Sequence, residues 1–307
     1  MSDDSGTPLP PPPGDEPADG AVESEVYSQE AALDAAEEVA ETKRRIWFMR
    51  MIRRERRREK IAKDRTTMIN SLITVFSTAI VAGMGGSSLA PEVLATAFAE
   101  IDGWLKVRVC DSTDPSAVAA ALRGLDPATT LVIVASKSGT TTETLSFAAY
   151  AAEWLGAATG GAERALASMI AISDPSPCID GIPGSERMLE RFLNPPDIGG
   201  RYSALSFVGL VPAALLGIDL DPLLAAGSVA AAELREPEPT ANRAVALGAV
   251  IGALAREGRD KLTFVVDAPI DGFGAWAEQL VAESTGKHGV GVVPVDGEPL
   301  GTVAEYS

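Results

Sequence analysis

Leu131-Val132-Ile133-Val134-Ala135-Ser136-Lys137-Ser138-Gly139-Thr140-Thr141-Thr142-Glu143-Thr144 is the stretch that decides the fold. The apolar run Leu131 to Ala135 reads as a buried strand. It empties into a loop with five hydroxyl side chains (Ser136, Ser138, Thr140, Thr141, Thr142), one lysine and one glycine. A helical pattern follows, from Thr141 to Leu155. Thr140 and Glu143 have capping-box spacing, which predicts the helix start here independently. Backbone amides, hydroxyls and the positive end of the helix dipole then meet at one point. Together they favour an anion, above all a phosphate. The alternative is a Thr-rich helix cap with no ligand.

Upstream, the apolar run Ile73 to Ala82 leads into Gly83-Met84-Gly85-Gly86-Ser87-Ser88 and a helix over Glu92 to Glu100. Trp104 to Cys110 alternates Leu105, Val107 and Val109 as a strand does, and a short helix spans Pro115 to Arg123. Downstream, Ala165 to Ser173 reads as another strand. This β-α-β-α-β-α-β order predicts an α/β fold with a doubly wound parallel sheet. Ligands of such sheets bind beyond the carboxyl ends of the strands, where both Gly/Ser/Thr-rich turns lie.

Farther on, the loop 193–200 delivers Arg201 after two glycines. An Ala/Leu-rich helical region runs from Ser203 to Leu234, and Glu236 to Thr240 is a Pro/Glu linker. A helix (Ala241 to Glu257), a strand (Leu262 to Asp267), a helical segment (Gly272 to Lys287) and a strand near Val290 to Pro294 read as a second α/β unit. That unit stops after two strands. Residues 1–23 are too polar and Pro-rich to offset chain entropy and are expected to be disordered. Residues 24–64 read as a solvated helix, acidic over Glu30 to Glu41 and basic over Lys43 to Arg58. The expected division is 1–65, 66–235 and 236–307.

A net charge of −17 opposes nucleic-acid binding, which needs a basic face. Cys110 and Cys178 are too few and too far apart for a disulfide scaffold and suit a reducing cytoplasm. The acidic, Pro-rich start lacks the apolar segment of a signal peptide. Thr66 to Pro91 carries no charge and follows an arginine-rich run, which mimics a membrane span. Its Asn70, Ser71, Thr74, Ser77 and Thr78, and its closing glycine turn, argue instead for a strand-to-helix turn. No membrane partner is expected. One histidine and two distant cysteines predict no metal site.

Arg201 suits a carboxylate, phosphate or oxyanion, or is a surface arginine after a turn. Gln279 and Glu283 are four apart and share one helix face, while Trp276 and Leu280 share another that would pack inward. Glu283 is a solvated acid unless it converges with Arg201 and the hydroxyl loop. His288, beside Lys287 and Gly289, reads as a solvated helix-end residue. The Gly83–Ser88 turn also fits a variant dinucleotide loop, with Asp111 as the ribose acid.

Four segments in this order resemble the glucose-6-phosphate isomerase family, built on the sugar-isomerase (SIS) fold. They are Gly83 to Leu89, Ser136 to Thr144, Gly199-Gly200-Arg201-Tyr202-Ser203, and Gln279 to Glu283. The wording is most similar to the bacterial branch sometimes fused to transaldolase, with expected coverage from about residue 78 to 301. The resemblance implies a first SIS domain followed by an incomplete second one. It implies interconversion of glucose 6-phosphate and fructose 6-phosphate without metal or cofactor. Ser87 and the backbone at Gly86 would touch the sugar phosphate. Ser136, Ser138 and Thr141 would hold the phosphate oxygens, with Lys137 close by. Arg201 would stabilise an enediolate, Glu283 would be the base, and Gln279 would hydrogen-bond the sugar. The family's ring-opening histidine and late lysine have no counterpart here, so a truncated isomerase acting on open-chain sugar is expected, with a homodimer open to it. A non-catalytic phosphosugar-binding SIS module, a nicotinamide-dependent enzyme and a gene remnant are the competing readings.

Overall fold

The computed structural model describes residues 71–98, 100–268, 270, 272–299, 301–302 and 304. The expected disordered segment 1–23 and charged helix 24–64 lie outside them.

The three central strands of the sheet are built from apolar runs. β1 (Thr78–Ala82), β3 (Thr130–Ala135) and β4 (Met169–Ser173) are buried along their whole length. β2 (Lys106–Cys110) and β5 (Glu190–Leu193) are the edges and carry the charged residues Lys106, Arg108, Glu190 and Arg191. The order is β2-β1-β3-β4-β5 with every pair parallel. The doubly wound reading is therefore correct. The short fifth strand was not legible, since Glu190-Arg191-Phe192-Leu193 has no apolar run to announce it.

Alternate side chains feed two cores, as the two-residue period of a strand requires. Ile80, Val132, Val134 and Met169 pack on one face with Leu122 of α2 (Pro115–Leu122) and Phe147, Ala151 and Leu155 of α3 (Thr142–Thr159). Val81, Leu131, Ile133, Ile170 and Ile172 pack on the other with Val208, Val211 and Leu215 of a later helix, Phe207–Leu215. Each fully buried Leu or Ile is worth roughly 1.5–3 kcal/mol against exposure. Helices on both faces leave only the strand ends open to a ligand.

Several expected boundaries move for local reasons. The run Ile73 to Ala82 is not one strand: residues 71–75 are helical and β1 begins at Thr78. The next helix, α1 (Leu89–Ala97), starts three residues before the expected Glu92. What read as a strand over Ala165 to Ser173 begins instead with the last residue of the short α4 (Ala162–Ala165) and a 3₁₀ turn (Leu166–Ser168). The region Ser203 to Leu234 splits into a 3₁₀ segment (Gly200–Leu205), α5 (Phe207–Leu215) and α6 (Leu220–Glu233). Gly217 ends α5 with φ +82, and a Cβ there would lie 2.5 Å from Trp104 Cγ. Asp219 then caps α6 by accepting from the Asp221 amide at 3.1 Å.

α7 (Arg243–Arg256) is capped by Asn242, which accepts from Ala244 and Val245. α6 and α7 contain no buried residue. β6 (Lys261–Thr263) and β7 (Val293–Val295) form a separate two-stranded parallel sheet with α8 (Phe273–Thr285) between them. The inward side of α8 is Gly274 and Ala277; Trp276 and Leu280, expected to point inward, are half-buried. Gly274 is small for a reason: a Cβ there would fall 1.8 Å from Asp296 Oδ1. Among the described residues no helix is long and apolar enough to cross a membrane.

Candidate active site

β1 has β2 on one side and β3 on the other, so strand order reverses beside it. The loops after β1 and β3 flank the crevice where such sheets bind ligands.

The loop after β3 is held by its own hydroxyls. Ser136 is buried; its Oγ accepts from the Gly139 amide at 3.1 Å and shares a 3.0 Å hydrogen bond with Thr141 Oγ1. The exposed Ser138 accepts from the Thr140 amide at 3.2 Å and from Thr140 Oγ1 at 2.9 Å. The expected capping box is not made. Thr141, not Thr140, is the N-cap of α3, and its side chain makes no capping bond. The hydroxyls bind one another instead, because the turn at Gly139 folds Thr140 back over Ser138. Gly139 sits at φ +69, and a Cβ there would lie 1.8 Å from the Cys178 carbonyl oxygen. The result is a cluster of hydroxyls at the start of an 18-residue helix. It fits an anion by hydrogen bonding and by the sign of the dipole.

Lys137 points elsewhere. Its ammonium is paired with Asp174 just beyond β4 and donates to the Pro196 carbonyl at 3.2 Å. With Ser87, Asp174, Asn194, Gly200 and Ser203 it lines a small recess. Asp174 and Asn194 are buried polar residues that sequence reasoning passed over, although both stand at strand ends. Ser203 bridges two loops. Its Oγ donates to the Gly200 carbonyl at 2.6 Å and meets the Gly86 carbonyl at 3.3 Å.

The loop after β1 meets the Arg201 loop directly. A Cβ on Gly86 would lie 2.3 Å from the Gly200 carbonyl oxygen and 3.0 Å from the Arg201 nitrogen. Gly85, at φ +53, is pressed by Gln279, whose Nε2 lies 2.4 Å from where a Cβ would be. These glycines are used for contacts with Gly200, Arg201 and Gln279, which a dinucleotide loop does not call for. Asp111, the candidate ribose acid, is exposed.

One turn beyond Gln279, Glu283 accepts from Arg201 Nη1 at 2.8 Å. The glutamate side chain is 52% exposed and the arginine side chain 30% exposed. The hydrogen bond to Glu283 is the main cause that raises the Arg201 pKa above its usual value. The guanidinium therefore stays charged at any working pH. Its Nε is buried without a hydrogen-bond partner, so the group has donor capacity left. Tyr202 Oη lies 3.4 Å from Ser284 Oγ, a second tie between the same loop and α8. His288 is exposed, at φ 52, past the end of α8. Among the described residues no group of three His, Cys, Asp or Glu side chains is placed to hold a metal.

Residues 24–296 match the family model described as phosphoglucose isomerase. The chain belongs to the phosphoglucose isomerase family. It is 36% identical over 230 residues to a probable glucose-6-phosphate isomerase of Haloarcula marismortui, covering 74% of this chain and 50% of that protein. With a glucose-6-phosphate isomerase of Thermus thermophilus it shares 34% over 229 residues, 73% of this chain and 52% of the relative. It superposes with a TM-score of 0.64 and 25% identity on a crystal structure of a glucose-6-phosphate isomerase from Chlamydia trachomatis, covering 78% of this chain and 48% of the other. A hypothetical protein from Thermus thermophilus superposes at 0.67 with 30% identity, over 75% and 56% of the two chains. The chain thus spans about half the length of the curated relatives it matches. The family match begins at residue 24, not near 78 as the motifs alone led one to expect, so the acidic and basic segment 24–64 is part of the family sequence.

Proposed function

We propose that this chain interconverts glucose 6-phosphate and fructose 6-phosphate through an enediolate. The observation that carries the reading is the Arg201–Glu283 pair, drawn together from positions 82 apart and set against the glycine loop that also touches Gln279. In this reading Ser136, Ser138 and Thr141 hold the phosphate, with Lys137 in the same loop but turned to Asp174. Gly86 and Ser87 line the sugar side. Glu283 moves a proton between C1 and C2 of the open-chain sugar. Arg201 stabilises the oxyanion that develops between those steps, and Gln279 hydrogen-bonds the intermediate. Residues 66–235 act as the phosphosugar domain and 236–307 supply the base from the start of a second one. The same reading carries a homodimer and a cytoplasmic setting, with no metal or cofactor and no nucleic-acid or membrane partner. Light scattering of the purified chain tests the dimer.

The decisive test is a coupled assay of fructose 6-phosphate to glucose 6-phosphate on the purified chain, beside Glu283→Gln. Loss of the base is expected to lower kcat by about 10²–10⁴. Equal rates would remove Glu283 from the mechanism. A non-catalytic phosphosugar-binding module is the second reading, favoured by the strand-end hydroxyl cluster alone. It predicts a thermal midpoint raised by fructose 6-phosphate with no turnover in either protein.

A further inference from the structure

We infer that Asp174 is a positioning residue that holds the phosphate loop and the Arg201 loop at a fixed separation, acting through Lys137. The inference rests on the proposed phosphosugar site but concerns a residue given no role in it. Lys137 is gripped at both ends by the last residue of β4 and the residue after it. Its carbonyl accepts from Ser173 Oγ at 3.2 Å and from the Asp174 amide at 3.4 Å, and its ammonium pairs with the Asp174 carboxylate. The Asp174 side chain is 11% exposed. A buried carboxylate needs a partner, so moving Lys137 onto a ligand would leave Asp174 charged and unpaired.

The third contact gives the pair its reach. Lys137 Nζ donates to the Pro196 carbonyl at 3.2 Å, five residues before Arg201. The same loop is fastened to β4 by Asn194, whose amide donates to Ser173 O at 2.8 Å. Asn194 Oδ1 in turn accepts from the Phe207 amide at 3.1 Å, beyond Arg201. Three strand-end loops, after β3, β4 and β5, therefore share one strut. Lys137 contributes its length and its donors to that strut, while the phosphate is left to the hydroxyls of Ser136, Ser138 and Thr141.

Hydrogen exchange on the full chain tests the strut without any ligand, using Asp174→Asn and Lys137→Met. Both variants are expected to speed exchange of the amides over 138–141 and over 198–203 together, by about tenfold, while the amides in the middle of α3 keep their rates. Acceleration confined to one loop, or none, overturns the inference. If Asp174→Asn does not fold, Lys137→Met and the double variant, which leaves no unpaired charge, decide it. Thermal melts with fructose 6-phosphate add a test of opposite signs. A strut predicts that both single variants weaken the ligand-induced shift and that the double variant is no worse than either. A lysine acting directly on phosphate predicts that Asp174→Asn, which frees it, strengthens the shift, and that result overturns the inference. Absence of any shift in the parent chain would defeat the proposed function, while the exchange rates would still decide the strut.

Discussion

Replacing Gly139 with alanine tests the idea that the hydroxyl loop is shaped by backbone crowding as well as by its hydroxyls. Two penalties combine. The residue sits at φ +69, where an L side chain costs roughly 1–2 kcal/mol. The new Cβ would also fall 1.8 Å from the Cys178 carbonyl oxygen, a backbone atom that cannot rotate away. Forcing such a contact costs about 1–3 kcal/mol. The expected loss is about 2–5 kcal/mol, which for a domain of this size lowers the melting midpoint by roughly 4–20 °C. Gly124→Ala is the control. It has φ +74 and nothing within 4 Å of its Cβ position, so it carries only the conformational penalty. Any gain from stiffening the unfolded chain is common to both variants and cancels. The difference between their thermal midpoints, measured on the 307-residue chain, isolates the contact with Cys178. Equal midpoints would refute the claim that the loop after β3 leans on the segment after β4.

Gly86→Ala is expected to separate the glycine loop from Gly200 and to lower the proposed turnover of fructose 6-phosphate in the coupled assay by on the order of 10², the cost of a misplacement of about 1 Å in a preorganised site. Gly248→Ala, in α7 with nothing within 4 Å, is expected to raise stability by about 0.5–1 kcal/mol, read by a thermal melt. Burial raises the pKa of the Cys110 thiol, so a thiol reagent at pH 8 is expected to label the half-buried Cys178 alone until the chain is unfolded. Asp114 caps α2 and its pKa is lowered, first by the Ser116 hydroxyl and then by the Ala117 and Ser116 amides. Its folded pKa is below its unfolded one, so the ionised cap stabilises above the unfolded pKa and is lost as pH falls through the folded value. The melting gap between the parent and Asp114→Asn is expected to close on acidification from pH 5 towards pH 2.

Glu283 and Arg201 show where reading the chain by itself reached its limit. The side of α8 that carries Gln279 and Glu283 follows from their spacing of four. That this side meets Arg201 does not, because nothing local relates positions 201 and 283; the meeting depends on how α8 packs on the loop after β1. Lys137 is the opposite lesson. By type and place it is a phosphate cation, yet a buried Asp174, distant in sequence, claims its charge.

The doubly wound sheet was written in the chain alone. Near-continuous apolar runs such as Leu131–Ala135 can be satisfied only with helices on both faces, and each helix pattern sits where a crossover must run. The hydroxyl loop was legible for the same reason, being an interruption between a strand and a helix. Tertiary structure alone decided the rest. The edge strand Glu190–Leu193 is short and charged and takes its form from the backbone of β4. The partners of Lys137, Gly139 and Glu283 are set by which loops the parallel sheet brings to one end. Local propensity acts over a few residues, whereas an ion pair or a backbone clash acts wherever the chain returns in space.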